Sequence, residues 1–318
     1  MLLFLAIVKF VAGLVLVIMG ANWLTKGASA LALRFKISEL VIGLTIVALG
    51  TSLPELVISV SSALRGTPGI ALGNVIGSNI FNGLLILGLT AVITPIRFSS
   101  KMLSRELPFN LLASVVLLLV SSSILAGTDD GFITQASGLI LFCFLAVFIR
   151  YTFSITNDGG DEEPVEQLSV GKIILFIIIG LAALIFGGNI FVDGATFVAR
   201  ALNISEAVIG ITIVSAGSSL PELAVSVNAA RKGNVGIALG NVLGSNILNI
   251  FFILGCSATI TPIALKGFSC VDFYVLLASS LLIYLVARFG GKAIIKRWEG
   301  ALLVCGYVAY SVYLIMNS

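Results

Sequence analysis

Apolar residues run along this chain in long stretches. They show neither the two-residue alternation of a half-exposed strand nor the one-sided stripe of a surface helix. Divided at their polar breaks, the stretches give ten candidate spans, each near the ~20 residues a membrane crossing requires. The first five cover about Leu2–Ala32, Ile37–Ala63, Ile70–Ile93, Leu103–Leu125 and Gly131–Tyr151. The second five cover about Ile173–Leu202, Glu206–Ala230, Val235–Thr261, Phe273–Val286 and Ile295–Met316. Between the sets lies a polar segment, residues 152–170, carrying Asp158, Asp161, Glu162, Glu163 and Glu166. The pattern predicts an all-α polytopic membrane protein with ten transmembrane helices. Met1–Leu5 lacks the charged start of a signal peptide, and the apolar run continues to Trp23, so the first span is expected to be retained.

The pattern also repeats. Ile37–Ile96 and Ile204–Ile263 align without a gap at an offset of 167 residues, with 39 identities in 60 positions. Upstream, Gly20, Asn22, Gly27 and Ala28 match Gly187, Asn189, Gly194 and Ala195 at the same offset. The expected organisation is a first five-helix half over 1–151, an acidic linker over 152–170 and a second five-helix half over 171–318. An odd number of spans per half makes the second copy cross in the opposite sense. Two inverted-topology repeats of this kind build many secondary transporters, with binding sites at the repeat interface.

Composition agrees with the membrane reading: 58% of residues are hydrophobic and 10% charged, with a net charge of +3. So small a charge gives no basis for nucleic-acid binding. With both termini outside, fourteen basic residues fall on the cytoplasmic side. Only Lys9, Arg65, Arg200 and Lys266 fall outside. That asymmetry places the termini extracytoplasmic and the acidic linker inside the cell. The chain has no histidine, and its four cysteines are far apart with no CxxC spacing, so neither a transition-metal cofactor nor a disulfide framework is expected.

Two polar interruptions carry the candidate chemistry. Gly50-Thr51-Ser52-Leu53-Pro54-Glu55 recurs as Gly217-Ser218-Ser219-Leu220-Pro221-Glu222. Of fifteen acidic residues, only Glu55 and Glu222 lie deep within apolar runs, where a carboxylate costs several kcal/mol unless it meets a cation, a partner or water. Pro54 and Pro221 lack an N–H, so the helices should kink and release carbonyls around Ala48–Thr51 and Ser215–Ser218. Thr51, Ser52, Ser218 and Ser219 add hydroxyls. Hard oxygen donors of this kind suit Na+ and Ca2+, and two carboxylates balance one Ca2+. The following span of each repeat aligns Asn74, Ser78 and Asn82, or Asn241, Ser245 and Asn249, on one helix face. Asn22 and Asn189 are read as packing residues. The linker lacks the ligand spacing of an EF-hand.

These paired motifs, G-[TS]-S-L-P-E and G-N-x-x-G-S-N-I-x-N in both halves, closely resemble the alpha repeats of the sodium/calcium exchangers, within the cation/calcium antiporter superfamily. The resemblance covers nearly the whole chain and points to the prokaryotic type, in a prokaryotic cell membrane. It implies alternating access with Na+ driving Ca2+ transport, usually three Na+ for one Ca2+. It further implies that Glu55 and Glu222 bridge the central sites, with the Thr51 and Ser218 carbonyls completing a Ca2+ site. Ser52, Ser78 and the Ala48 carbonyl would line an inner Na+ site. Ser219, Ser245 and the Ser215 carbonyl would line an outer one, and Asn82 and Asn249 would flank the middle. The first and sixth spans would slide across the core as the gate.

Two departures qualify the match. Ser218 stands where many members have Thr. Asn249 stands where potassium-dependent relatives, and some prokaryotic ones, have Asp, so transport is expected to be K+-independent. The implied partners are Na+, Ca2+ and the bilayer, with no obligatory protein partner and no cofactor. A Ca2+/H+ antiporter of the same superfamily is the nearest alternative and a cation channel a more distant one. An enzyme fits poorly, because without histidine two glutamates supply no nucleophile–base pair.

Overall fold

The computed structural model describes residues 2–100, 102–125, 131–154, 168–201, 215–266, 268–289 and 293–317. The first half holds α1 (Leu2–Phe35), α2 (Glu39–Thr51), α3 (Leu53–Leu64), α4 (Gly69–Ile93), α5 (Met102–Val120) and α6 (Gln135–Ser154). The second holds α7 (Val170–Ala201), α8 (Ser215–Ser218), α9 (Leu220–Arg231), α10 (Val235–Ile260), α11 (Cys270–Phe289) and α12 (Arg297–Asn317). Among the described residues, eight helices are each long and apolar enough to cross a membrane. The bent pair α2 and α3 makes a ninth span if taken together. The predicted span Glu206–Ala230 falls partly on 202–214, outside the described residues; α8 and α9 are its described portion.

Two boundaries differ from the sequence reading for local reasons. Helix α11 is longer than Phe273–Val286 because its polar start is a cap. The Ser269 hydroxyl accepts from Val271 N–H, and Asp272 accepts from Ser269 N–H at 3.1 Å, which is a capping-box arrangement. Helix α5 stops at Val120, and Ser121 separates it from a further turn, Ser122–Leu125.

The two longest helices pack antiparallel on each other through glycines seven residues apart. Gly13, Gly20 and Gly27 of α1 face α7, and Gly180, Gly187 and Gly194 of α7 face α1. A Cβ on Gly20 would stand 2.8 Å from the Gly180 carbonyl, and one on Gly180 2.6 Å from Leu24 N. Only glycine permits this approach of backbones, the small-residue packing that lets membrane helices associate without a hydrophobic drive.

The remaining helices form the core, and they exchange partners between halves. Helix α12 packs on α4 where Gly300 meets Gly88, and α6 packs on α10 where Gly138 meets Gly255. Two short antiparallel ladders repeat the exchange. Strand β1 (Ile96–Arg97) pairs with β4 (Ile294–Ile295), and β2 (Phe132–Ile133) pairs with β3 (Ile263–Ala264). Helix α10 runs alongside α2 and α3: Gly236 lies against Glu39 at one end, and Thr261 donates to the Ala63 carbonyl at 3.1 Å at the other. The α3–α4 turn and its repeat equivalent, the α9–α10 turn, therefore lie at opposite ends of the bundle.

Candidate ion site

The bend between α2 and α3 is 49° and falls at Ser52, two residues before Pro54. Ser52 adopts φ −82°, ψ 9°, and its equivalent Ser219 adopts φ −92°, ψ 8°. In both cases the proline occupies the first turn of the next helix, where its missing N–H costs least. Glu55 and Glu222 thus enter in the first turns of α3 and α9, and each is 1% exposed. A helix N-terminus favours a carboxylate, so the proline both breaks the span and prepares the place for the charge.

The two motifs serve each other rather than themselves. Ser52 Oγ donates to Glu222 Oε1 at 3.1 Å, and Ser219 Oγ donates to Glu55 Oε1 at 3.1 Å. Thr51 and Ser218 are the next hydroxyls beside Glu222 and Glu55. Thr51 Oγ1 also donates to Asn241 Oδ1 at 2.9 Å.

Asparagines complete the frame. Asn74 Nδ2 donates to the Glu55 carbonyl and to Ser59 Oγ, at 3.2 and 3.0 Å. Asn241 Nδ2 does the same to the Glu222 carbonyl and Ser226 Oγ, at 3.2 and 2.9 Å. Across the centre, Asn82 Nδ2 donates to Asn246 Oδ1 at 3.1 Å and Asn249 Nδ2 to Asn79 Oδ1 at 2.9 Å. The amide nitrogens of Asn82 and Asn249 are thereby turned away, which leaves their oxygens to face the interior.

The hydroxyls are shared out between the halves. Ser78 shares a cavity wall with Ser218 of the other half. Around Ser245, helix α10 packs on α2, where a Cβ on Gly244 would meet the Ala48 side chain at 2.8 Å. The physical reason is the exchange of partners between halves, which faces each α-helical motif toward its counterpart's neighbour. The Ala48 carbonyl is not released by the bend, because α2 continues to Thr51 and Ser52 N–H still reaches Ala48 O at 3.0 Å. Thr51 Oγ1 also donates to it at 3.3 Å, so a cation at this carbonyl would have to displace that longer bond. Ser215 begins the single turn of α8; its side chain lies outside the described residues.

Five buried oxygens of this frame have no hydrogen-bond partner: Glu55 Oε2, Glu222 Oε2, Asn82 Oδ1, Asn249 Oδ1 and Ser245 Oγ. Buried acceptors are normally satisfied, and each that is not costs about 1–3 kcal/mol, more when charged. All five belong to residues predicted as ligands. Only oxygen atoms are orphaned in the frame, a donor set that fits a hard cation rather than an anion.

Two cavities reach this frame. One, of about 420 Å³, is lined at its deep end by Asn74, Ser78 and Ser218 and at its mouth by residues of α11 and α12. The other, of about 210 Å³, lies between α7 and the two proline bends and touches Asn189, Asp193, Gly217 and Ser218. Asn189, read from sequence as a packing residue, is exposed here on the wall of that second cavity.

The profile of the sodium/calcium exchanger protein family matches residues 5–154 and 172–316. The chain belongs to that family. The exchanger is 36% identical to sodium/calcium exchanger MaX1 of Methanosarcina acetivorans, over 95% of this chain and 96% of that one. It is 37% identical to a membrane protein of Methanocaldococcus jannaschii, over 96% and 97% of the two chains. A solved structure of the sodium-calcium exchanger NCX_Mj superposes with a TM-score of 0.79 at 38% identity, covering 96% of this chain and 97% of that one. Membership makes this a multi-pass membrane transporter of the antiport kind, with prokaryotic relatives.

Two pairs of exchanger residues escaped the sequence reading. Asn79 and Asn246 hold the site asparagines, and Ser59 and Ser226 hold Asn74 and Asn241. Their signal was present: all four are identical between repeats, and a serine or asparagine kept at both copies of an apolar helix has a polar partner to satisfy.

Proposed function

We propose that this exchanger moves Na+ against Ca2+ by alternating access, three Na+ for one Ca2+, independently of K+. In this reading the ten spans form two inverted five-helix halves in a prokaryotic cell membrane, with both termini extracytoplasmic. The observation that carries it is the crossed pair of buried carboxylates, each bonded by the other half's serine and each keeping one oxygen unpartnered. Glu55 and Glu222 are the shared ligands and the countercharge. Ser52 and Ser245 with the Ala48 carbonyl form one flanking hydroxyl site. Ser219 and Ser78, with the Thr51, Ser215 and Ser218 carbonyls nearby, serve the other flank and the centre, between Asn82 and Asn249.

Charge accounts for obligatory exchange. Two carboxylates give −2, so one Ca2+ leaves the site neutral and three Na+ leave it at +1. An empty site leaves two desolvated carboxylates without a cation, which disfavours passage between states. Ca2+ uptake into reconstituted vesicles, measured under imposed Na+, K+ and pH gradients, tests this. Uptake driven by Na+ at fixed pH and insensitive to K+ is the expected result. Uptake driven by a pH gradient alone would make the protein a Ca2+/H+ antiporter, and flux without any counter-cation would make it a channel.

A further inference from the structure

The larger cavity has one carboxylate on its wall besides the site it leads to, and that is Asp272. Beside it lie Tyr307, Tyr310, Ser311, Leu314 and Phe268, and among the described residues no lysine or arginine lines the cavity. Its sides are apolar, with Ile58, Ile70, Ile76 and Phe81, so field lines from Asp272 are focused along the cavity rather than spread into solvent. Asp272 is held in place: Tyr310 Oη donates to Oδ1 at 2.7 Å and Ser269 N–H to Oδ2 at 3.1 Å. Each oxygen keeps a lone pair for a passing ion.

We propose that Asp272 is a cation-capture residue, which draws Ca2+ into the cavity and hands it on toward Ser78 and Ser218. A single carboxylate attracts a divalent ion about twice as strongly as a monovalent one, yet holds neither tightly, which is what a transit position requires. The counterpart of Asp272 in the first half is Glu106, which accepts from the Tyr151 hydroxyl at 2.7 Å as Asp272 accepts from Tyr310, but Glu106 is buried, at 1% exposure. The two carboxylates therefore differ in setting: Asp272 lines the larger cavity, and Glu106 lines neither of the two cavities. The role bears on KM for Ca2+ at the face of the α3–α4 turn, and it rests on the exchange function proposed above.

The test uses right-side-out and inverted membrane vesicles, with initial rates of Ca2+ uptake measured against Ca2+ concentration at low and high ionic strength. Asp272→Asn is expected to raise KM roughly threefold to tenfold on one face only, with the maximal rate unchanged, and high salt should erase the difference. Ser269→Ala removes the helix cap without changing charge and should leave KM as it is. Equal KM in Asp272→Asn and wild type, a change on both faces, or the same defect in Ser269→Ala would overturn the assignment. Failure of the wild type to exchange Na+ for Ca2+ would instead count against the function itself, so the two failures are separable.

Discussion

Helices α4 and α10 carry the same glycine face and meet opposite surroundings. On α10, Gly236, Gly240 and Gly244 lie against α2, and a Cβ on each would stand 2.9 Å from Glu39, 2.6 Å from the Leu40 carbonyl and 2.7 Å from the Leu44 carbonyl. On α4, the equivalent Gly69 and Gly73 see only the Phe268 ring, at 3.9 and 3.7 Å, and Gly77 sees nothing within 4 Å. One face is closed by backbone packing and the other is the wall of the larger cavity. The same contrast runs through the asparagines: Asn241 is fully buried, whereas Asn74 lines the cavity. A motif present twice is thus used in two ways at once, so at these glycines what differs is conformation rather than composition.

The carboxylates offer the most direct way to break that contrast, because they should be indifferent to it. Glu55→Gln and Glu222→Gln are each expected to lower Na+-driven Ca2+ uptake by at least ~100-fold, while the purified proteins keep their melting behaviour. Retained uptake in one of them would show that the site itself, and not only its surroundings, is asymmetric. Next come the glycines. Gly244→Val and Gly77→Val should each cut turnover by roughly tenfold or more, but through opposite faces. Reactivity of cysteines placed along the larger cavity should fall in the first variant and stay high in the second. If both variants trap the same state, the two glycine faces do not alternate.

A smaller effect is expected from the α1–α7 seam, where Gly20→Ala inserts a methyl against the Gly180 carbonyl. Uptake should slow by roughly fivefold with KM unchanged. The smallest concerns bonds that only one half can make. Asn228 Nδ2 donates to the Ala21 carbonyl and to Thr25 Oγ1 of α1, and Asn234 donates to Ser29 of the same helix. The equivalents of these two asparagines are Ser61 and Thr67, and those of Thr25 and Ser29 are Val192 and Thr196, so the opposite face has no matching set. At about 0.6 kcal/mol for a hydrogen bond between membrane helices, Asn228→Ala should shift the ratio of the two states roughly threefold. Cavity-cysteine reactivity reads that ratio directly.

Much of this was written in the chain. The proline two residues past each serine announced the bends, and the isolation of Glu55 and Glu222 in apolar runs announced the site. What escaped was pairing between the halves. Ser78 meets Ser218 of the other half along one cavity wall, and a linear offset carries no information about which copy faces which. The Ala48 carbonyl escaped for a different reason: a proline removes one donor at a known position, but where the helix finally yields depends on the packing of α2 against α10. The open and closed glycine faces were illegible in principle, since their sequences are alike.

The length of α1 and α7 has a consequence of its own. Helices of 34 and 32 residues measure about 50 Å at ~1.5 Å per residue, against a hydrocarbon layer of about 30 Å. They can fit only by tilting or by standing proud of the lipid, and their smooth glycine seam leaves the choice of angle to the surroundings. A thicker membrane should favour whichever position of the pair stands more upright, so uptake rates are expected to vary with lipid chain length.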